Sequence, residues 1–403
     1  MIDIKDKRNC CGCNACASIC PKHCITMTED NEGFLYPFVD NSICIECGLC
    51  EKVCPIIQVK PEVTNPNQRA FLVQHKNDKI LRESTSGGAF TAISKWVLSK
   101  GGIVFGASLN ENFEVFHSYV ERYEDLYKFR NSKYVQSQIN VAYIQAKKIL
   151  QDDRYVLFSG TPCQLEGLFS FLRKPYSKLI TVDVVCRACP SPLVLRKYLE
   201  MQQKNLNIKL KDIKFRDKYH GYKYSTMSLF DKGKKDYHEG IDTDFYLRSF
   251  FSGVNIRPSC TKCVFRKRYR NTDFTIWDCF DVDKFSKELD NDKGVTRILT
   301  HSSLANEIIK DLYKDLKIIQ INPDEAVEGV KEMFYSVSFN PKREDFFHDL
   351  GVMDTEKCFH KFFPITLRHR LEKQARLWSN RLGIYKWTKK LFKTINGNKE
   401  IKR

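Results

Sequence analysis

Cys10-Cys11-Gly12-Cys13-Asn14-Ala15-Cys16-Ala17-Ser18-Ile19-Cys20-Pro21 places four cysteines at the spacing C-x2-C-x2-C-x3-C and closes on a proline. Cys44-Ile45-Glu46-Cys47-Gly48-Leu49-Cys50-Glu51-Lys52-Val53-Cys54-Pro55 repeats the spacing without deviation. Thiolates are soft, charged ligands suited to iron–sulfur clusters. Two-residue gaps let three consecutive cysteines curl around one cubane, while the extra residue and the proline direct the fourth to the other cluster. The predicted ligand sets are therefore Cys10, Cys13, Cys16 and Cys54 for one 4Fe-4S cluster, and Cys44, Cys47, Cys50 and Cys20 for a second. Zinc is the competing metal, but its sites pair two C-x2-C units across a longer gap rather than running four cysteines together twice. Cys11 and Cys24 fall outside the pattern and are expected as small buried side chains. Residues 1–60 thus read as a ferredoxin-like α+β head.

The remaining composition fits that reading. Seventeen cysteines in 403 residues would be a disulfide framework only in an oxidising compartment, and their crowding argues for metal instead. The first residues, Met1-Ile2-Asp3-Ile4-Lys5-Asp6, have no apolar signal core, and no stretch approaches the ~20 apolar residues that span a bilayer, so a cytoplasmic location is expected. Hydrophobic and charged contents of 42% and 29% describe a folded chain rather than a disordered one.

Past a proline-bearing linker at 59–68, strand-like and helix-like segments alternate. Ser84-Thr85-Ser86-Gly87-Gly88 leads into an apolar-periodic helix that stops at Gly101-Gly102, and a strand follows at 103–109. A second strand ends at Ser159, turns through Gly160-Thr161-Pro162-Cys163, and feeds a helix near 165–172. The β-branched run 179–185 reads as a buried strand, followed by Cys186 and a helix near 193–201. Such units imply an α/β domain with a largely parallel sheet, here bounded at 69–335.

Two features of this body carry chemistry. The loop Ser84–Gly88 ahead of a helix could cradle a phosphate or a flavin ring, or serve as an ordinary helix cap. Cys163 and Cys186 each follow a predicted strand. If those strands are parallel neighbours, both thiols lie on the sheet edge where ligands collect, and Cys260 and Cys263 could close over them. The set could hold a third 4Fe-4S cluster, a zinc ion, or nothing. Cys189 and Cys279 are possible substitutes, and Cys358 is expected to be structural. The run Lys262, Arg266, Lys267, Arg268 and Arg270 could bind phosphates or lie solvated.

Taken together, Ser86-Gly87-Gly88, Gly101-Gly102, Ser132-Lys133-Tyr134-Val135-Gln136-Ser137, Ser159-Gly160-Thr161-Pro162-Cys163-Gln164, Pro190-Ser191-Pro192 and Arg257-Pro258-Ser259-Cys260 with Cys263 resemble the family of coenzyme F420 hydrogenase/dehydrogenase beta subunits. The resemblance spans about residues 1–330. It implies a flavin (FAD or FMN) held by Ser84, Ser86, Gly87, Gly88, Lys133, Tyr134 and Thr161, and a third cluster on Cys163, Cys186, Cys260 and Cys263. It further implies an oxidoreductase that exchanges electrons with a ferredoxin or a redox partner subunit, and that acts on an organic substrate, with a polysaccharide pathway as one setting. A non-catalytic electron relay is the alternative. Two departures stand out. Cys186-Arg187-Ala188-Cys189 replaces a Cys-His-Gly pattern, and Trp277-Asp278-Cys279-Phe280-Asp281 replaces Gly-Asp-Phe-Trp-Gly.

The charge of +17 is uneven: residues 365–403 hold twelve Lys or Arg against two Glu, leaving about +7 for the rest. Within this basic tail, Leu367, Leu371, Trp378, Leu382, Tyr385 and Leu391 recur at helical intervals. That pattern fits either an amphipathic helix on an anionic membrane surface, giving peripheral contact, or a helix packed on the body. No nucleic-acid motif accompanies the charge, and no nucleic-acid partner is expected.

Overall fold

The computed structural model describes residues 1–231 and 236–382. In the head, strands β1 (Ile25–Glu29) and β2 (Leu35–Val39) form an antiparallel hairpin beside the short helices Ala15–Ile19 and Leu49–Lys52. The body contains β3 (Arg69–His75), β4 (Ile103–Leu109), β5 (Val115–Val120), β6 (Val156–Gly160), β7 (Leu179–Val184), β8 (Leu210–Asp217), β9 (Thr226–Asp231), β10 (Tyr237–Gly240), β11 (Phe274–Asp278), β12 (Thr296–Thr300) and β13 (Leu316–Ile321). Eight of them form one sheet in the order β13-β3-β12-β11-β7-β6-β4-β5, and β8, β9 and β10 form a separate antiparallel sheet.

The expectation of a largely parallel sheet holds for the centre. Strands β11, β7, β6 and β4 run parallel, while β12, β3, β13 and β5 add antiparallel flanks. Parallel strands buried on both faces read as continuous apolar runs, which is why β6 and β7 are visible in the sequence. The flanking strands alternate less clearly and say nothing of their direction. Helices Ala89–Ser99 and Ser303–Asp311 cover one face through Ile93, Val97 and Ile308. Helices Ala142–Gln151 and Pro162–Leu172 cover the other through Tyr143, Leu165 and Leu168.

The head is seated into the body. Phe34 is fully buried in the same apolar cluster as Val194 and Tyr198 of the helix Pro192–Leu206. Cys13, Ala15 and Val53 join the cluster around Tyr143 and Leu168. Arg343 forks onto Glu32 at 2.5 and 2.6 Å, with both side chains largely buried. Gly167 is glycine for a reason: a Cβ there would lie 2.8 Å from the Cβ of Cys13.

The basic tail begins as the helix Leu367–Arg381. Its cations dock on the body, with Lys373 on Glu239 at 2.5 Å and Arg376 on Asp242 at 3.3 Å. Leu367, Leu371, Trp378 and Leu382 point away and are 61–77% exposed. The helix therefore packs on the body by its polar face and turns its apolar residues outward. Tyr385 and Leu391 lie outside the described residues. Among the described residues, no helix is long and apolar enough to cross a membrane.

Candidate functional site

The two cysteine repeats trace the same backbone path twice. Gly12 and Glu46 have positive φ, and so do Asn14 and Gly48, which cap the two short helices. These left-handed turns face three consecutive thiols inward. Cys20 ends its helix in an extended conformation and is carried across to the other repeat. One cavity is lined by Cys10, Cys13, Cys16 and Cys54, together with Ile2, Ile4, Met27 and Ile56. The other is lined by Cys20, Cys44, Cys47 and Cys50, together with Ile25, Val39 and Leu49. Each draws three cysteines from one repeat and one from the other, the grouping expected for two cubanes. Among the described residues, no set of three His, Cys, Asp or Glu side chains could hold a single metal ion.

The two leftover cysteines are not idle filler. The Cys24 sulfur lies 3.3 Å from that of Cys20 and lines the second cavity. Partial burial alone would raise the Cys20 thiol, but hydrogen bonds from the Cys24 thiol and from backbone N–H groups hold it below its usual value. The Cys11 thiol lies between the Cys13 and Cys163 thiols, and each neighbour perturbs it. Spacing arguments could not have found the approach of Cys11 to Cys163, because it crosses between distant segments.

Strands β6 and β7 are parallel neighbours, with Gly160 paired to Asp183. Cys163 and Cys186 therefore emerge at the same strand ends, and Cys260 and Cys263 reach them from the turn Pro258–Lys262 and its end. Thr161 caps the helix Pro162–Leu172. Its N–H donates to Gln164 Oε1 at 3.0 Å, and its hydroxyl lies 3.2 Å from the Cys163 sulfur. Burial, then the neighbouring Cys260, raises the Cys186 thiol. Burial pushes Cys260 up to about 12 despite a backbone N–H from Cys189. Buried thiols so raised stay protonated, and only an electropositive centre that draws the protons off would turn them into ligands. Cys189 joins the nest as a fifth sulfur. Cys279 does not: it is buried beside Asp281 and Arg297. Cys358 packs in the apolar core near Phe346.

The expected flavin contacts divide. Gly87 is consumed by the fold, since a Cβ there would lie 2.2 Å from the Val73 carbonyl oxygen and 2.6 Å from the Thr296 nitrogen. Gly88 caps the helix Ala89–Ser99 with φ +81° against His75, and Ser84 donates to the Ile80 carbonyl at 2.7 Å. The loop is thus chiefly a packed helix entrance. Lys133 donates to the carbonyls of Lys128 and Arg130, and Thr161 belongs to the cysteine nest. Ser86 and Tyr134 do converge on one site. Arg216 donates to the Tyr134 hydroxyl at 3.1 Å and to Asp278 at 3.0 Å, and the Tyr222 hydroxyl reaches Asp278 at 3.1 Å and Ser86 at 3.4 Å. Phe280 stacks on Tyr222 at 5.2 Å and is 42% exposed. This cluster, the strand-end crevice, lies at the end of β11, whose neighbour β7 pairs in turn with β6. Tyr134 also shares an apolar cluster with Cys260, so crevice and nest adjoin.

Four cations of the basic run are engaged by the protein itself. Arg266 clamps the carbonyls of Cys186, Arg187 and Glu332, Lys267 donates to that of Lys60, and Arg268 and Arg270 pair with Asp324 and Asp183. These cations hold the nest together from behind.

Residues 153–326 match the family described as the C terminus of the coenzyme F420 hydrogenase/dehydrogenase beta subunit, and residues 9–56 match the "4Fe-4S dicluster domain". An F(420)H(2) dehydrogenase subunit of Methanosarcina mazei is 28% identical over 164 residues, 38% of this chain and 46% of that protein. Coenzyme F420-dependent sulfite reductase of Methanocaldococcus jannaschii is 25% identical over 268 residues, 65% of this chain and 41% of that protein. The matches therefore cover less than half the length of each of these two relatives. A 7Fe ferredoxin of Hydrogenibacillus schlegelii is 33% identical over 64 residues, 16% of this chain and 76% of that protein. An iron–sulfur head on an oxidoreductase-type body follows from these matches. Residues 153–326 thus carry the domain described as the C terminus of the coenzyme F420 hydrogenase/dehydrogenase beta subunit, with a 4Fe-4S dicluster domain at the head of the chain.

Proposed function

We propose that the chain is an iron–sulfur flavoprotein oxidoreductase that takes single electrons from a ferredoxin or a redox partner subunit, and acts on an organic substrate at the strand-end crevice. One observation carries the reading. Three cysteine nests follow one another from the exposed Cys47 to the ends of the parallel strands, and Cys11 lies between the second and the third. Cys20, Cys44, Cys47 and Cys50 would hold the outer cluster and Cys10, Cys13, Cys16 and Cys54 the inner one. Cys163, Cys186, Cys260 and Cys263 would hold a third. Ser86 and Tyr134, with Arg216, Tyr222 and Phe280, would bind FAD or FMN. Bound flavin exchanges one or two electrons, which links one-electron carriers to two-electron chemistry.

The residues around the crevice have definite roles. Arg216 keeps its proton and orients the Tyr134 hydroxyl, while Asp278 fixes both Arg216 and Tyr222. Arg187 pairs with Glu332 and donates to the Phe251 carbonyl, so it anchors the turn after Cys186.

Anaerobic purification followed by iron and flavin quantification tests the proposal. We expect about twelve irons per chain, four per cluster, with one flavin, and about eight irons in Cys263→Ala. Wild-type protein with about eight irons, or without flavin, would overturn it. The second reading is an electron-relay component, favoured by the similarity to a protein named as a subunit. It predicts clusters, no flavin, and activity only with a partner.

The tail helix adds a peripheral membrane contact to this proposal. Leu367, Leu371, Trp378 and Leu382 form an exposed stripe on one face of a segment with net charge +10, the combination that binds anionic lipid. Co-sedimentation with phosphatidylserine vesicles, but not with phosphatidylcholine alone, is expected for the wild type and is lost in Leu371→Glu/Trp378→Glu. Equal sedimentation of both proteins removes the idea.

A further inference from the structure

Arg257 is the largest fully buried side chain of the described residues, with none of its surface exposed. It sits where the head meets the body. Its Nε donates to the Cys10 carbonyl at 2.8 Å, Nη1 to Gln136 Oε1 at 2.9 Å, and Nη2 to the Leu35 carbonyl at 2.9 Å and the Cys10 sulfur at 3.5 Å. The guanidinium lies over the Tyr36 ring at 4.2 Å. Gly12 clears the space, for a Cβ there would come within 2.9 Å of Nη1. The main chain of Arg257 faces the third nest, with its N–H donating to the Cys189 carbonyl at 2.8 Å and its carbonyl accepting from the Cys260 N–H at 3.0 Å.

A buried cation needs a counter-charge. The other buried arginines each find one: Arg216 in Asp278, Arg297 in Asp281, Arg343 in Glu32. The acceptors at Arg257 are two carbonyls, one amide oxygen and the sulfur of Cys10. The thiols of Cys10, Cys189 and Cys11 are the groups whose negative form most favours its charge, alongside Tyr36. The counter-ion that fits is an anionic, thiolate-ligated cluster.

We propose that Arg257 is a positioning residue that raises the reduction potential of the inner head cluster above that of the outer one. The proposal rests on the reading that Cys10, Cys13, Cys16 and Cys54 ligate a 4Fe-4S cluster. Adding one electron makes such a cluster more negative by one charge. A fixed positive charge and an N–H···S bond both stabilise that reduced form, and net charge and hydrogen bonds to sulfur are established controls of cluster potential. The cluster on Cys20, Cys44, Cys47 and Cys50 lies at the exposed end of the head, and the four acceptors of Arg257 do not include its sulfurs. With clusters bound in both nests, the charge of Arg257 would favour an electron on the inner one over the outer one, the outer giving up the electron that the inner gains, with no proton required.

The test is a redox titration of the full chain, purified anaerobically and followed by paramagnetic resonance, for wild type, Arg257→Gln and Arg257→Lys. We expect one head transition to move to more negative potential in Arg257→Gln by about tenfold in its reduction equilibrium, which is 59 mV for a one-electron couple. The other head transition should stay in place. Arg257→Lys keeps the charge but not the fork, and should move the same transition by less. Both transitions moving together, or neither moving twofold, overturns the proposal. Loss of the inner cluster alone in both variants also overturns it, leaving Arg257 a structural clamp. Wild type without head iron would instead sink the underlying cluster reading.

Discussion

The two cysteine repeats of the head have the same spacing and the same sequence of left-handed turns, yet their surroundings differ completely. The inner nest is walled by the body: Cys13 packs beside Gly167, Cys10 is held by Arg257, and Cys11 reaches Cys163. The outer nest reaches solvent at one side, with Cys47 exposed and with Ile43 and Ile45, the neighbours of Cys44 in sequence, 50% and 57% exposed. The repeat encodes which atoms can grip a cluster. What surrounds the repeat decides whether that cluster meets a partner or the interior. Identical spacing thus sits in two settings, one copy walled by the body and the other carrying an exposed thiol.

The largest effects should come from the ligands that cross between repeats. Cys20 belongs to the first repeat but lines the outer cavity, and Cys54 belongs to the second but lines the inner one. Cys54→Ala is therefore expected to remove the inner cluster and Cys20→Ala the outer one, each with loss of about four irons. If each substitution instead abolished the cluster of its own repeat, resolved by paramagnetic resonance, the two nests would not be interleaved. Cys24 gives this test an edge, since its sulfur lies close enough to Cys20 to serve as a substitute; Cys20→Ala/Cys24→Ala should lose outer iron more completely than Cys20→Ala alone.

A smaller effect is expected at the exposed end. Apolar residues around a cluster edge form a dry contact for a docking electron carrier, and a buried unpaired charge there is unfavourable. Ile43→Glu/Ile45→Glu should slow reduction by a reduced ferredoxin about tenfold, roughly 1.4 kcal/mol of encounter free energy, while iron content and reduction by dithionite stay unchanged. Unaltered ferredoxin kinetics in stopped flow would place the entry point elsewhere and break the contrast between the two nests.

The readability of these features from sequence follows the same division. Cysteine spacing predicts the head quartets because ligand geometry is local, and the apolar runs of β6 and β7 bring Cys163 and Cys186 to one edge because buried parallel strands are written plainly. Contacts between segments are not written anywhere. Cys11 meets Cys163 across about 150 residues, Arg257 reaches back to Cys10, and Gly87 is fixed by the Thr296 backbone rather than by a ligand. The antiparallel flanks, the turned-in cations of the 262–270 run and the outward apolar face of the tail helix were hidden for that reason: each depends on what a neighbour supplies. Asp278 left a trace, as the residue retained from the relatives' Gly-Asp-Phe-Trp-Gly pattern, and the structure gives it Arg216 and Tyr222.

The smallest expected effect concerns the support beneath the inner nest. His117 is buried on β5 against Phe158, with Nδ1 2.7 Å from the Ser137 hydroxyl and Nε2 2.9 Å from the Ser159 carbonyl. Ser137 follows Gln136, the partner of Arg257, so this histidine braces the segment that holds the inner side of the head. Burial pushes its pKa down to about 4, from an ordinary 6.5. A histidine depressed in the folded state binds its proton more readily when unfolded, so it contributes stability above pH 6.5 that is lost as pH falls towards 4. Between pH 6.5 and 5.5 the loss from this one group is about 1 kcal/mol. Urea unfolding of the wild type should therefore weaken over that interval by about 1 kcal/mol more than unfolding of His117→Gln, while above pH 7.5 the two curves run parallel. Parallel curves throughout would mean that His117 titrates alike in both states, and that the wall of the inner nest is not the dry, titratable support its packing describes.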